Sequence, residues 1–436
     1  MLICQQAANS GIVLDRFQGI LLETSCLIIG VAPDGREKGS PMPIAQKIKH
    51  YMESASWIRD MFEEGIRLKQ RYGDDNIFDF SLGNPVMEPP PAFYAMLRQL
   101  VHNPPPGMHR YMPNAGFLET RAAVAAQLAK ETGVAFTAEH IVMCVGAAAG
   151  LNVVLKTLLD PGDEVILFSP YFVEYHFYVD HHGGVTKVVP TDAHFDLDLE
   201  ALEAALTPRS KVVLINSPNN PSGVIYPAAT LKQLGELLQR KGRQFNTTIY
   251  LLSDEPYKKL IYGRLTYPEI YPHYPHAISV TSHAKDLALP AERIGYIAVN
   301  PECADLQDLL SGMSFTTRTL GFVNAPALMQ RALVPLQGVT VDMGQYERKR
   351  DVLCDNLTAM GYQLVRPQGA FYIFPQAPGD DDVAFVKALQ AKHILTVPGR
   401  GFGTPGYFRI AYCVEDDTIE RAMDGFRAVA KEFGLT

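Results

Sequence analysis

Short apolar runs rich in β-branched residues recur through the middle of the chain: Ile141 to Cys144, Val165 to Phe168, Val212 to Ile215, Ile249 to Leu252, Ile278 to Thr281 and Ile294 to Val299. Each is followed by a turn and then by a stretch with helical spacing. Such alternation predicts an α/β fold with a mainly parallel sheet covered by helices on both faces. Upstream, Ile44, Ile48, Met52, Ala55, Ile58, Phe62 and Ile66 recur at intervals of three and four within a segment rich in Lys, Arg and Glu. That spacing predicts amphipathic helix, and the folded protein is expected to begin near Met42.

At 436 residues the chain exceeds the size at which a single hydrophobic core usually stops growing, so two domains are expected. A formal charge of −8 disfavours nonspecific attraction to nucleic acid or anionic lipid and points to small-molecule chemistry. The cysteines Cys4, Cys26, Cys144, Cys303, Cys354 and Cys413 form no C-x-x-C pair and lie in no His-rich neighbourhood. Neither a metal site nor a disulfide framework is expected, and reduced thiols suit a cytoplasmic protein. The most apolar run, Gly19 to Ala32, is broken by Glu23, Thr24 and Ser25, so no membrane span is expected. Residues 1–41 lack the features of a secretory or transit signal. Because Gly35 to Gly39 can be encoded almost wholly by purines just ahead of Met42, two readings stand: a leader outside the native protein, or a short disordered extension.

In open α/β sheets, ligands bind beyond the carboxyl ends of the strands, where loops converge and helix N-termini present free N–H groups. The polar residues fall at those ends. Gly146-Ala147-Ala148 follows the first run, Tyr171-Phe172 the second and Asn219-Asn220-Pro221 the third. Asp254-Glu255-Pro256-Tyr257 follows the fourth, and Ser282-His283-Ala284-Lys285 the fifth. Taken singly, each has an ordinary explanation. Lys285 is a surface charge, Arg293 an ion-pair partner, Asp254 a helix cap, Asn220 a turn residue, the Gly146 turn a site of close packing, and Phe172 a core residue.

Their order changes that assessment. The stretch S-H-A-K-D-L-A-L-P-A-E-R-I-G, from Ser282 to Gly295, resembles the Schiff-base segment of the class I aminotransferases. N-S-P-N-N-P-S-G from Asn216 resembles the family's N-P-T-G turn, and D-E-P-Y from Asp254 its D-E-x-Y segment. Gly406 to Ala411, Gly83-Asn84-Pro85 and Pro367 to Tyr372 are similar to further family segments. The resemblance runs from about Ser81 to Phe426, with all motifs in register. Ala149 and Ala291 depart from it, where relatives often carry a polar residue and a glycine.

The resemblance implies the fold-type I architecture of transferases dependent on pyridoxal 5′-phosphate (PLP): a large domain over residues 88–325 and a smaller, discontinuous α+β domain over 42–87 and 326–436. It implies Lys285 as the residue carrying PLP as a Schiff base and moving the substrate proton. Gly146, Ala147, Ala148, Ser282 and Arg293 would bind the phosphate, Phe172 would stack on the ring, and Asn220 and Tyr257 would meet the ring oxygen. Asp254 would hold the ring nitrogen protonated, so that the ring accepts electrons from the substrate Cα. Arg409, with Gly83 and Asn220, would clamp the substrate α-carboxylate. Tyr111 resembles the tyrosine that reaches the neighbouring subunit's phosphate, implying a homodimer with sites at the subunit interface. The expected reaction moves an amino group from an L-amino acid to a 2-oxo acid. A lyase or decarboxylase shares the same motifs, and a PLP-binding regulator would need a DNA-binding module that residues 1–41 are too short to supply. Arg318, 33 residues after Lys285, lies near the place where aspartate-specific relatives hold an arginine reaching across the dimer to a distal carboxylate; a solvent-facing arginine is the competing reading.

Overall fold

The computed structural model describes residues 44–54, 56–379 and 381–435, so the expectations for the leader and for Met42 lie outside the described residues. The first segment, described by itself, is the helix Gln46–Ser54, on which Ile48 and Met52 lie exposed, as does Ile44 just ahead of it. Apolar spacing finds a helix but does not say what covers its apolar face. In the next helix, Ser56–Tyr72, Ile66 is exposed while Gly65 and Leu68 face inward.

Seven strands form the main sheet. With β1 at Phe78–Asp79, they are β2 (Ile141–Cys144), β3 (Glu164–Ser169), β4 (Val185–Pro190), β5 (Ser210–Asn216), β6 (Tyr250–Asp254), β7 (Ala277–Ser282) and β8 (Gly295–Val299). They are ordered β2-β8-β7-β6-β5-β3-β4, and only the β8 pairings with β2 and β7 are antiparallel. Strands β5 to β8 are buried almost throughout, as expected when helices cover both faces. The edge strand β4 has no continuous apolar run, which is why periodicity did not mark it. Its Lys187 reaches back to Glu164 at 2.9 Å, a charged side chain of the kind that protects an open edge.

The reversed direction of β8 matters for the site. Gly295, at its start, pairs with Cys144 and Ser282, at the carboxyl ends of β2 and β7. Arg293 therefore arrives at the same end of the sheet as the turns after the parallel strands.

Two hydrophobic cores flank this sheet, and a third is built around smaller strands. These are β9 (Tyr372–Ile373), β10 (Ile394–Leu395), β11 (Val397–Pro398) and β12 (Phe408–Ala411), with β1 paired to β10 and β12 between β11 and β9. The helix Asp416–Glu432 buries Ile419, Met423, Phe426 and Ala430 at helical spacing against this third core. Met329, Ala332, Leu333 and Leu336 pack instead into a core of the main sheet.

Candidate active site

A cavity of about 330 Å³ opens beyond the carboxyl ends of β2, β3, β5, β6 and β7. Gly83, Ala147, Ala148, Phe172, Asn220, Asp254, Tyr257, Ser282, Lys285, Arg293 and Arg409 all line it. Gly146 adjoins it through Arg293. Two candidates lie elsewhere in this chain: Tyr111 is 92% exposed, and Arg318 is exposed in the last turn of the helix Leu306–Thr319, over the Phe315 ring.

Lys285 is partly buried, and its Nζ donates to the Gly83 carbonyl at 2.5 Å. Burial, together with the Arg409 and Arg293 charges, lowers its amine to about 8 against an opposing effect of Cys413, so a useful fraction is uncharged near neutral pH. Gly83 has to be glycine, because a Cβ there would meet the Tyr372 hydroxyl at 2.0 Å. That close approach delivers its carbonyl to the lysine.

Asp254 ends β6 fully buried. Its Oδ2 accepts from the Tyr175 hydroxyl at 2.5 Å, while Oδ1 has no partner. Burial pushes its carboxyl up to about 7, with the Tyr175 hydrogen bond acting the other way. No helix follows directly, so Asp254 is not an N-cap. A buried carboxylate oxygen without a partner suits a ligand that brings a protonated nitrogen.

Asn216, at the end of β5, stitches the neighbouring turns together. Its Nδ2 donates to the Asp254 carbonyl at 2.8 Å and its Oδ1 accepts from the Asn220 backbone at 2.7 Å. Asn220 Oδ1 in turn accepts from Arg409 Nη1 at 3.0 Å, which leaves the Asn220 amide donor free for a ligand. The Tyr257 and Tyr372 hydroxyls are 2.8 Å apart.

Arg409 lies on β12, where its neighbours Phe408 and Ile410 point into the third core and alternation turns the guanidinium to the cavity. It is sandwiched between the Tyr372 and Phe402 rings, 4.8 and 4.7 Å from their centres, and its Nη2 donates to the Ser81 carbonyl at 2.6 Å. Nε is buried without a partner. A fixed, underused guanidinium is a carboxylate receptor.

At the opposite end, the helix Ala147–Leu158 starts at Gly146 with no side-chain cap, so its first N–H groups face the cavity region. Gly146 has φ 88°, and a Cβ there would lie 2.8 Å from Arg293 Nη2. Arg293 itself adopts a left-handed conformation, φ 49°, with Nη1 donating to the Pro290 carbonyl at 2.8 Å. Free helix N–H groups, Ser282 and a guanidinium held against a bare glycine form a cradle for a phosphate. Phe172 lines the wall between the two ends, edge-on to Tyr175.

Sequence reasoning missed Tyr175, Asn216, Tyr178 and Phe402. Asn216 opens the N-S-P-N-N-P-S-G segment, and Tyr175 and Tyr178 are tyrosines one helical turn apart just after Phe172; Phe402 carried no signal.

The family model for class I and II aminotransferases matches residues 75–426. The aspartate/prephenate aminotransferase of Thermus thermophilus is 34% identical over 338 residues, 74% of this chain and 84% of its own length. Among solved structures, an aminotransferase from Eubacterium rectale superposes with a TM-score of 0.87 at 36% identity, covering 90% of this chain and all of that one. The Thermus thermophilus aspartate aminotransferase with maleate gives 0.77 at 28% identity, over 89% of this chain and all of its own.

Proposed function

The chain belongs to the class I and II aminotransferases, enzymes that move an amino group from an amino acid to a 2-oxo acid, and on that premise we propose that its cavity holds PLP on Lys285. The observation that carries the proposal is the pairing of a partly buried lysine, lowered to about 8, with the unpartnered buried oxygen of Asp254 in one cavity. The phosphate cradle at Gly146, Ser282 and Arg293 fits the same group.

Bound PLP supplies a pyridine ring that accepts the electron pair left at the substrate Cα. Asp254 holds a proton at the ring nitrogen, and Tyr175 and Asn216 hold Asp254. Asn220 and Tyr257 would donate toward the ring oxygen, and Phe172 would stack on the ring. Arg409 binds the substrate α-carboxylate and so fixes which Cα bond faces Lys285. Lys285, as a free amine, removes the Cα proton. The buried walls exclude water from that transfer.

Borohydride treatment of the holoenzyme followed by peptide mapping tests the assignment: the reduced PLP adduct is expected on Lys285. An adduct on Lys156, or on Lys258, which is held in ion pairs with Glu131, Glu255 and Glu269, refutes it.

Tyr111, wholly outside its own chain's cavity, completes the cradle of a second subunit in this proposal, which makes a homodimer the active unit. Mixing Tyr111→Ala with Lys285→Ala subunits should restore activity, because one site of the mixed dimer is then intact. A mixture as inactive as its parents places Tyr111 outside the neighbour's site.

A further inference from the structure

The turn that presents Lys285 has two sides. Ser282, Ala284 and Lys285 face the cavity, whereas His283 and Asp286 are buried and do not line it. On that hidden side His283 Nδ1 lies 3.1 Å from Asp286 Oδ2, an i to i+3 link that spans Lys285. The same carboxylate oxygen is 3.2 Å from Lys259 Nζ. Lys259 follows Tyr257 by two residues, on the turn that begins with Asp254. One carboxylate therefore ties the turn carrying Lys285 to the turn carrying the two side chains expected at the ring nitrogen and ring oxygen. The backbone is held as well: His283 N donates to Ile294 O at 3.0 Å, and Val341 N to Asp286 O at 2.8 Å.

Stability alone does not account for these groups. His283 Nε2 and Asp286 Oδ1 are both buried without partners, so the cluster carries desolvation that hydrogen bonds do not fully offset. Buried ion sets of this kind are commonly no more stabilising than well-packed apolar side chains. Burial pushes the Asp286 carboxyl up, yet the His283 and Lys259 contacts outweigh it and hold it below the usual range, which keeps the carboxylate ionised as the hub.

We propose that Asp286, gripped by His283 and Lys259, is the positioning residue that aims Lys285 at the substrate Cα. It rests on Lys285 being the PLP carrier and proton-transfer group. Asp286 touches neither substrate nor PLP; its action runs through the lysine.

The test is a double-mutant cycle on the holoenzyme. In the Lys285 background, Asp286→Asn is expected to lower kcat by at least about tenfold, since a misplacement near 1 Å costs up to about 10²-fold. The KM for the amino donor should stay within about threefold. After PLP is removed, the rate at which added PLP becomes reducible onto Lys285 by borohydride should fall with kcat. In a Lys285→Ala background, with activity supplied by methylamine, the same Asp286→Asn change is expected to alter the rate less than about twofold, because no side chain remains to be aimed. The paired variant Lys259→Gln/Asp286→Asn leaves no uncompensated buried charge and is scored by the same criteria, so loss of folding in the single variant does not end the test. Equal losses in the two backgrounds, or no loss beside Lys285, overturn the proposal. Full activity of Lys285→Ala without methylamine would instead refute the Lys285 assignment beneath it.

Discussion

Replacing Asp254 with asparagine should stabilise the PLP-free protein at pH 8 while disabling the enzyme. Burial raises the Asp254 carboxyl from 3.8 to about 7, so the folded state holds this proton more tightly than the unfolded chain does. The resulting stabilisation is fully present below 3.8 and is lost as pH rises through about 7. At about 1.4 kcal/mol per pH unit, the loss is roughly 4 kcal/mol by pH 8 and less than half of that by pH 5. Asparagine keeps an oxygen to accept from Tyr175, but sets an amide N–H where Oδ1 has no partner, at a cost of about 1–3 kcal/mol that does not vary with pH. Asp254→Asn should therefore gain roughly 2–3 kcal/mol on the wild type between pH 5 and pH 8. Urea unfolding of both PLP-free proteins at the two pH values measures this. A stability difference that is the same at pH 5 and pH 8 would refute the burial argument. In the same variant, single-turnover proton removal from the donor should slow on the order of 10²-fold or more, as when a pre-aligned charge is lost from a reacting site.

An amino-donor panel separates the two arginines. Arg409→Lys should lower kcat/KM about 10²-fold for every donor, since it loses the fork that binds a carboxylate and leaves its Tyr372 and Phe402 sandwich. A loss confined to one donor would contradict that role. Arg318→Ala, removing an exposed side chain outside this chain's cavity, should change kcat/KM for aspartate, glutamate and alanine alike, by less than about twofold. A selective loss for aspartate and glutamate would instead assign Arg318 to a distal carboxylate across the dimer.

The strands and the groups at their carboxyl ends were legible because each signal is local. A buried parallel strand is a continuous apolar run, and Asp254, Asn220 and Lys285 sit within a few residues of one. What joins them was not legible. Tyr175 meets Asp254 across 79 residues of chain, and Asn216 meets the Asp254 carbonyl across 38, contacts set by the β6-β5-β3 strand order rather than by any motif. The edge strand β4 escaped because half-exposed strands carry little apolar signal. The antiparallel entry of β8, which brings Arg293 to the cavity, has no signature in an apolar run. Helical spacing located Gln46–Ser54 but did not reveal that Ile48 and Met52 lie exposed on it.

Amino-group transfer is tested most directly by a half-reaction. Holoenzyme is mixed with an L-amino acid and no 2-oxo acid, and the products are counted in the wild type and in Lys285→Ala. The expected result is one 2-oxo acid per bound PLP, with an absorbance change that added 2-oxo acid reverses, and no comparable burst from Lys285→Ala. Release of carbon dioxide, continued production of oxo acid with ammonia, or an undiminished burst from Lys285→Ala would contradict it.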